Sequence, residues 1–325
     1  MNILIDKTSS LGEWLSEELG VVSSVISNHL QSNHGAVNDV CGELAAYRGK
    51  MLRPSLLLLS WKTVFEDAPT PQHISTAAAV LELIHLATLV HDDVLDEADL
   101  RRGKRTINTL CGNETAVMLG DYLLSSAFHL CSTIGNPNLN LLLGEVTNTL
   151  CAGEVVQLFN RNNVDLDVDS YYQIIHDKTA SLISASCEMG AILGNGDEDC
   201  IQALKVFGNH VGTAFQIKDD LLDLLGCKKI IGKPAGRDLE KGKLTLPVIL
   251  MLSKNPELKT RVLVAINDNN RRELICMLNS AGTISVAFEE IKRLVSSATN
   301  SIERVFSNDG ASKLCEIAEQ LNRPI

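Results

Sequence analysis

Apolar residues recur at helical spacing along almost the whole chain, at positions i, i+3, i+4 and i+7. This pattern predicts helices over residues 10–30, 38–48, 51–65, 72–97, 114–134, 139–160, 168–194, 198–226, 244–253 and 284–320. Gly and Pro separate several of them, as in the Gly135-Asn136-Pro137 break. Alternating patterns typical of strands are rare and weak, so we predict an all-α fold.

No internal boundary divides the chain. Repeats, low-complexity tracts and Pro/Ser linkers are not evident in its 325 residues. We therefore predict one domain over residues 1–325. The C-terminal helices carry ordinary amphipathic patterns and no evident chemistry, and we interpret them as scaffold.

Composition and charge exclude several classes of protein. Hydrophobic residues make up 45% of the chain and aromatic residues only 4%, which favours helices built on Leu, Ile, Val and Ala. The net charge of −11 argues against nucleic-acid binding, which requires Lys and Arg to neutralise phosphates. The nine cysteines form no C-x-x-C pair and are predicted to be reduced. Neither a secretory leader nor a membrane-spanning apolar run is evident, so we expect a soluble, cytoplasmic protein.

Two aspartate triplets at helical spacing are the most informative feature of the sequence. They lie in His91–Asp96 (HDDVLD) and Lys218–Asp223 (KDDLLD), and each places carboxylates at positions i, i+1 and i+4. Their members are Asp92, Asp93 and Asp96, and Asp219, Asp220 and Asp223. On a helix the i and i+4 carboxylates point the same way and repel each other, a conflict that a divalent cation removes. Magnesium suits the pattern because it binds one or two carboxylates together with substrate phosphates and water.

A solvated acidic helix face is the alternative interpretation of either triplet alone. Both triplets, however, end strongly apolar runs, Leu81–Val90 and Val211–Ile217, where such a face is unexpected. The presence of two triplets in this setting favours a metal site.

Cations on Gly- and Pro-containing turns accompany the aspartates. Arg101-Arg102-Gly103 follows the first triplet, the GKMLRP segment at Gly49–Pro54 precedes it, and Lys233 and Lys243 follow the second triplet. We call the two helix segments that carry the triplets, His91–Asp96 and Lys218–Asp223, the two acidic walls. Two acidic walls with Lys and Arg around them predict a site for two diphosphates, because Arg and Lys bind phosphate oxygens strongly.

At this point the motifs resemble those of the trans-isoprenyl diphosphate synthase (polyprenyl synthetase) family. Besides the two triplets they are GKMLRP at 49–54, the block at 82–96, RRG at 101–103, GD at 120–121, GEVVQ at 153–157, KTASL at 178–182 and GKPAGRDL at 232–239. The resemblance implies an isoprenoid synthase-type helical bundle around a deep central cavity. It also implies a magnesium-dependent prenyltransferase that condenses isopentenyl diphosphate with an allylic diphosphate.

The resemblance implies a role for each matched residue. Three magnesium ions would be held by Asp92, Asp96 and Asp219, and the metal or its waters would also contact Asp93, Asp220 and Asp223. The allylic diphosphate would contact Arg101, Lys178 and Lys233, with Lys243 helping to close that site. Isopentenyl diphosphate would contact Lys50, Arg53, His85 and Arg102. The allylic cation would be stabilised by Thr179 and Gln216.

Some of these residues have ordinary alternatives. His85 is also consistent with a core or capping histidine, and Thr179 would be an unremarkable helical threonine without Lys178 beside it. Glu154 and Gln157 are equally consistent with supporting the site and with lying on a helix surface.

Small residues beneath the first triplet indicate a long product. In this family a bulky aromatic residue at the position of Ala87 or Thr88 stops growth at short chains, and here both residues are small. Ile84 and Leu81 continue the line down the helix, and Phe128 is a candidate floor. One helical turn rises ~5.4 Å, about the length of one extended isoprene unit, and we expect a product of about C30–C50.

We therefore expect an enzyme that extends farnesyl diphosphate to an octaprenyl-type product for quinone side chains. A geranylgeranyl or other short-chain synthase is the first alternative. A non-catalytic subunit of a heteromeric synthase would lack the triplets, and a type I terpene cyclase would not need the second diphosphate site. The resemblance also implies a homodimer and a transient membrane contact during product release.

Overall fold

A computed structural model of the chain describes residues 9–47, 49–65, 69–226 and 236–324. Helices dominate it, which confirms the all-α prediction. They are α1 (Ser10–His29), α2 (Gly35–Glu43), α3 (Leu52–Val64), α4 (Gln72–Leu95), α5 (Ile107–Cys111), α6 (Asn113–Ser132), α7 (Pro137–Phe159), α8 (Val168–Ile175), α9 (Ser181–Leu193), α10 (Glu198–Leu225), α11 (Arg237–Glu240), α12 (Leu246–Lys254), α13 (Lys259–Asn267), α14 (Arg271–Ala281), α15 (Thr283–Glu303) and α16 (Asp309–Glu319). Short 3₁₀ turns lie at Leu44–Ala46, Pro256–Leu258 and Gln320–Asn322.

The centre of the bundle is formed by α3, α4, α9 and α10. Along α3 the run Leu56–Leu59 is completely buried, because neighbouring helices cover the apolar helix on more than one side. Gly190 on α9 permits close approach of α3, since a Cβ there would lie 2.4 Å from the Leu57 carbonyl oxygen. Gly212 on α10 likewise packs against Ala180, where a Cβ would lie 2.5 Å from Cα. This second contact fixes the helix of the second triplet against the chain that precedes α9.

A π-helical turn interrupts the helix predicted over residues 168–194. It covers His176–Ala180, between α8 and α9. On α7, a Cβ at Gly153 would lie 2.6 Å from Asp177 Cβ, so α7 packs tightly against this turn. The additional residue of a π turn re-aims the side chains around it, and such turns are frequent at functional sites. Lys178 and Thr179 lie on this turn.

A short antiparallel hairpin, which we did not predict, follows α4. Strand β1 (Leu100–Arg101) pairs with β2 (Lys104–Arg105). The two-residue loop, Arg102-Gly103, has positive φ at both positions, 52° and 78°, as a type I′ turn requires. Positive φ is accessible to glycine but strained for arginine. The hairpin therefore holds Arg102 in an unfavourable backbone conformation beside the first triplet.

The C-terminal region contains more breaks than the sequence pattern indicated. The single helix predicted over residues 284–320 is wrong, because the chain forms α15 and α16 with a break between them. Asn308 begins the second helix by accepting a hydrogen bond from the Ala311 N–H at 3.0 Å. Helices α13 and α14 were also not predicted.

The end of the described chain is attached to the second triplet. Lys218, which precedes Asp219, is buried, and its Nζ donates to the backbone carbonyls of Leu321 and Arg323 at 2.7 Å each. The C-terminal helices therefore support the helix that carries the second triplet.

Within the described ranges, α4 has the length and apolar composition of a membrane span. Of its most apolar 18-residue window, 78% is buried inside the protein, as in the core helix of a globular fold. The pair α14 and α15 passes the same test only across a bend of 73°. Neither observation favours a membrane-spanning helix.

Candidate active site

The middle carboxylate of the first triplet is buried and hydrogen-bonded at both oxygens. Asp93 is 2% exposed and accepts the Tyr47 hydroxyl at 2.7 Å. Arg101 donates to it through Nε at 2.9 Å and through Nη2 at 2.8 Å. The Tyr47 hydroxyl in turn accepts the Ile107 N–H at 3.1 Å. Asp93 thus anchors the end of α4 to the neighbouring elements.

Asp92 is the carboxylate of this triplet that carries an unresolved electrostatic conflict. Burial, opposed by Lys178 but reinforced by Glu154 and Asp96, raises the pKa of Asp92 to about 6. Within the described residues its carboxylate has no hydrogen-bond or ion-pair partner. A cation placed here would relieve the repulsion between the carboxylates.

Asp96 at the end of α4 is held by two cations. Lys243 Nζ lies 3.2 and 3.3 Å from its two oxygens, and Arg161 Nη2 lies 3.3 Å from Oδ1. The turns that carry these cations are joined by a hydrogen bond of 2.7 Å, which the Asn162 N–H donates to the Gly242 carbonyl. Burial alone would lower the pKa of Lys243, but Asp96 raises it. The first triplet is thereby connected to the segment that follows the second triplet.

The second triplet resembles the first, because within the described part of the chain two of its carboxylates are hydrogen-bonded to other residues and one is not. Asp220 accepts the Tyr171 hydroxyl at 2.6 Å and the Gln216 Nε2 at 2.8 Å. Asp223 accepts the backbone N–H of Asp238 at 2.9 Å, at the start of α11. Asp219 is half-buried and, among the described residues, has no such partner.

Asp220 is not easily ionised in this environment. Burial and the Asp238 carboxylate raise the pKa of Asp220 to about 8. Asp92 and Asp219, which have no hydrogen-bond or ion-pair partner among the described residues, thus lie beside anchored carboxylates, and this arrangement is suited to divalent cations.

Polar side chains from the π turn lie between the two walls. Thr179 donates its hydroxyl to Gln216 Oε1 at 2.7 Å, and Gln216 uses its Nε2 for Asp220. Lys178 pairs with Glu154 of α7, so Glu154 belongs to the site. The predicted residues Lys178, Thr179 and Gln216 are thus brought together as neighbours of both triplets.

A second cluster, of positive charge, is formed by the GKMLRP segment, α4 and the hairpin. Burial lowers the pKa of Arg53 to about 10, and burial followed by the Arg102 charge lowers the pKa of Lys50. His85 is held neutral, because burial and the charges of Arg53, Arg101 and Arg102 lower its pKa well below the ordinary value. The buried Glu82 carboxylate on α4 offsets part of the positive charge of Arg53 and Arg102, and a further anion would reduce the repulsion that remains between the cations.

The GKMLRP segment and the hairpin are packed directly together in this cationic cluster. A Cβ at Gly49 would lie 2.7 Å from Arg102 Nη2, so any larger residue there would displace this guanidinium from its present position. Arg53 keeps a buried Nε without a hydrogen-bond partner in the described chain. All four residues predicted for isopentenyl diphosphate therefore lie in one cluster.

The predicted chain-length residues lie below the first triplet. Leu81, Ile84 and Ala87 are completely buried on α4, and Thr88 is half-buried with its hydroxyl bonded to the His85 carbonyl at 2.8 Å. Phe128 on α6 is half-buried against the same core. A separate cavity of about 450 Å³ lies on another side of α4, where Leu86 lines it together with α1 and α2. Lys233 lies outside the described residues.

Three residues of the site carried no motif signal. Tyr47 and Tyr171 look like ordinary core tyrosines, and Arg161 like a surface charge at a helix end. The signal that does identify them is spatial, since each contacts an aspartate of a triplet.

The donor set fits magnesium without forming a complete cage. No three His, Cys, Asp or Glu side chains of the described chain converge as a metal centre on their own. Magnesium does not require this, because it keeps several waters and completes its shell with substrate phosphates. Asp92 and Asp219 are available as metal ligands, and Asp96 forms only partly exposed ion pairs, which a metal could replace. Asp93 and Asp220, in contrast, are hydrogen-bonded to other side chains of the protein.

Comparison with known proteins places these features in a family. The model of the polyprenyl synthetase family matches residues 34–278. The chain is 38% identical over 247 residues to "Heptaprenyl diphosphate synthase component 2" of Geobacillus stearothermophilus, covering 76% of each chain. It is 35% identical over 266 residues to the octaprenyl diphosphate synthase of Escherichia coli K12, covering 82% of this chain and 81% of the relative.

A solved structure agrees over almost the full length. The polyprenyl synthase of Caulobacter crescentus CB15, complexed with calcium and isoprenyl diphosphate, superposes with a TM-score of 0.88 at 29% identity, covering 96% of each chain. The family resemblance and the prenyltransferase class inferred from the motifs are both confirmed. The chain belongs to the polyprenyl synthetase family and is a magnesium-dependent prenyltransferase.

Proposed function

We propose that this enzyme extends farnesyl diphosphate with isopentenyl diphosphate to a long-chain, all-trans polyprenyl diphosphate of the octaprenyl type. The observation that carries the proposal is the presence of two groups of charged side chains, an acidic one that includes Asp92 and Asp219 and a cationic one that includes Arg53 and Arg102. Two diphosphate substrates need two such sites, one of them bridged by metal. Relatives named for heptaprenyl and octaprenyl products support the length.

The acidic site would bind the allylic diphosphate. Asp92, Asp96 and Asp219 would hold magnesium, with three ions expected from the family resemblance. Bound magnesium neutralises the leaving diphosphate as a Lewis acid. Lys178 and Lys243 supply further positive charge, so that the negative charge that develops on the leaving group is stabilised.

The allylic cation would form against neutral oxygens. Thr179 and Gln216 present hydroxyl and amide oxygen dipoles, and neither is nucleophilic enough to trap the cation as a carboxylate would. The Gln216 Nε2 is occupied by Asp220, which keeps the amide oxygen directed towards Thr179. The isopentenyl double bond then attacks the cation, and the released diphosphate takes the proton.

The cationic site would hold isopentenyl diphosphate. Lys50, Arg53 and Arg102 carry more positive charge than the single Glu82 carboxylate near Arg53 and Arg102 can offset, and the neutral His85 beside them is a hydrogen-bonding group. Arg101 donates two of its hydrogen bonds to Asp93 and so lies between the two sites. We retain Arg101 as a diphosphate contact through its remaining donors.

A homodimer is the proposed assembly. Large apolar side chains are exposed on α5, α6 and α7, and Phe159 at the end of α7 is 86% exposed. They are Leu110, Val117, Met118, Leu141, Val155, Val156 and Phe159. Because one relative is named a "component 2", a second, different subunit is the alternative partner for these helices.

One assay tests the proposal. Purified protein is incubated with labelled isopentenyl diphosphate, magnesium and dimethylallyl, geranyl, farnesyl or geranylgeranyl diphosphate, and product lengths are measured by reversed-phase chromatography. We expect farnesyl diphosphate to give the fastest turnover and products beyond C20. Absence of turnover with every primer by the chain alone would contradict the proposal, and light scattering on the same sample reports the assembly.

A further inference from the structure

Two buried tyrosines make equivalent contacts in the two walls of the site. Tyr47 donates to Asp93 at 2.7 Å, and Tyr171 donates to Asp220 at 2.6 Å. Both tyrosines are buried, at 1% and 3% exposure. Each pair joins a tyrosine from outside the helix of the triplet to the middle carboxylate of that triplet.

Each tyrosine also lies in the stretch of chain that carries substrate-binding residues. Tyr47 directly precedes the GKMLRP segment with Lys50 and Arg53, and Tyr171 lies on α8, directly before the π turn with Lys178 and Thr179. The Arg101 guanidinium stacks on the Tyr47 ring at 5.5 Å while it binds Asp93. The tyrosine–aspartate pairs therefore connect each acidic wall to one set of substrate contacts.

The geometry explains why the middle carboxylate of each triplet is the one bonded to a buried phenol. On a helix, residues i and i+4 share a face, whereas residue i+1 points about 100° away. A middle carboxylate left free could turn and compete for the metal with the first one. A phenol donor from a buried ring is rigid, and its hydrogen bond fixes the orientation of the carboxyl group that accepts it.

We infer that Tyr47 and Tyr171 are positioning residues, which hold Asp93 and Asp220 out of the metal sites and leave Asp92, Asp96 and Asp219 as ligands. The inference rests on the proposed function. It assigns the middle aspartates an anchoring role, in place of the metal contact that the family resemblance implied for them.

The test uses Tyr47→Phe and Tyr171→Phe, with Tyr172→Phe as the matched control. Tyr172 also donates to a carboxylate oxygen, that of the half-buried Glu290 at 2.7 Å, but this pair lies between α8 and α15. The first readout is Mn²⁺ binding in the presence of inorganic diphosphate, followed by electron paramagnetic resonance. We expect the dissociation constant to rise about tenfold in each of the first two variants, the upper end of the effect of one lost hydrogen bond, and to stay unchanged in Tyr172→Phe.

Steady-state kinetics provide the second readout. Tyr47→Phe is expected to raise the KM for isopentenyl diphosphate more than that for the allylic substrate, and Tyr171→Phe is expected to do the reverse. If both variants bind Mn²⁺ like the unaltered protein and merely melt at lower temperature, the tyrosines only stabilise the fold and the inference is wrong.

A comparison of Asp93→Asn with Asp92→Asn tests the same idea without removing a ring. An asparagine at position 93 still accepts the Tyr47 hydroxyl, so Mn²⁺ binding should weaken less than about fivefold, whereas Asp92→Asn should abolish it. Equal losses in the two variants would overturn the inference. Metal binding is measured without turnover, so a protein that binds Mn²⁺ as expected but forms no product would refute the proposed function alone.

Discussion

A phenylalanine at position 87 should shorten the product. Ala87 lies five residues before Asp92 on α4, about 7.5 Å along the axis at 1.5 Å per residue, and Ile84 and Leu81 lie about 12 and 16.5 Å along it. Each three-residue step of about 4.5 Å approaches the length of one isoprene unit. If the growing chain runs beside this face, Ala87→Phe should stop it at about C15 to C20, with Ile84→Phe and Leu81→Phe each allowing about one unit more.

The cost to the fold should be moderate. Ala87 is completely buried, so a phenylalanine that found no channel would overpack the core, typically by about 1–3 kcal/mol. A phenylalanine that enters the channel would cost less and leave the melting temperature almost unchanged. Leu86→Phe is the matched control, because Leu86 is the next residue on α4 but lines the cavity of about 450 Å³ near α1 and α2.

Product distributions by reversed-phase chromatography and thermal unfolding together decide the matter. The reasoning requires a graded series from position 87 to position 81 and an unchanged product length in Leu86→Phe. Unchanged lengths in Ala87→Phe, or the same shortening in Leu86→Phe, would refute the placement of the channel along this face of α4.

Three further predictions concern the charged sites. Gly49→Ala should displace the Arg102 guanidinium and raise the KM for isopentenyl diphosphate about tenfold. The KM for the allylic substrate should change little, and steady-state kinetics that show equal changes in both KM values would contradict this prediction. Arg161→Gln removes a partly exposed partner of Asp96 worth about 0.5–1 kcal/mol, so calorimetry should show magnesium binding tightened about two- to fivefold, and weaker binding would count against it. Because the pKa of Asp92 is raised to about 6, the metal-free folded protein binds the carboxyl proton of Asp92 more tightly than the unfolded chain does. The contribution of protonated Asp92 to the free energy of unfolding therefore falls as the pH rises towards 6. Magnesium must displace the proton, so affinity should rise with pH up to about 6 and then level off, and a flat profile from pH 5 to 7 would contradict the assignment.

The sequence was sufficient for the features that depend on local spacing. The i, i+1, i+4 aspartates define their own face on a helix, and the neighbouring apolar runs place that helix in the core, so the structure agrees with the predicted position of both triplets at helix ends. The family resemblance adds the cations at Lys50, Arg53 and Arg102, and these lie together as one cluster.

Other features depend on contacts between distant parts of the chain and could not be predicted from spacing. Strands of two residues are too short to alternate, so the hairpin with Arg102 gave no strand signal. A π turn has the same amino-acid composition as the α-helix around it, so the sequence pattern does not reveal it. The feature that coincides with this turn is a tertiary contact, the close packing of Gly153 against Asp177. Arg161 reaches Asp96 through the contact between two turns, which no motif records.

The electrostatics of the site explain how a protein with a net charge of −11 can bind two diphosphates. The charges are sorted by location: the acidic walls have raised carboxylate pKa values at Asp92 and Asp220, and the cationic cluster has lowered pKa values at Arg53 and His85. Burial is the first cause of each shift, because it disfavours the charged form of the group. Arg101 donates two hydrogen bonds to Asp93, and its charge acts on both Asp92 and His85. Magnesium with the allylic diphosphate, and the isopentenyl diphosphate, would each bring charge of the opposite sign to one region, so that binding reduces the repulsion between like charges there.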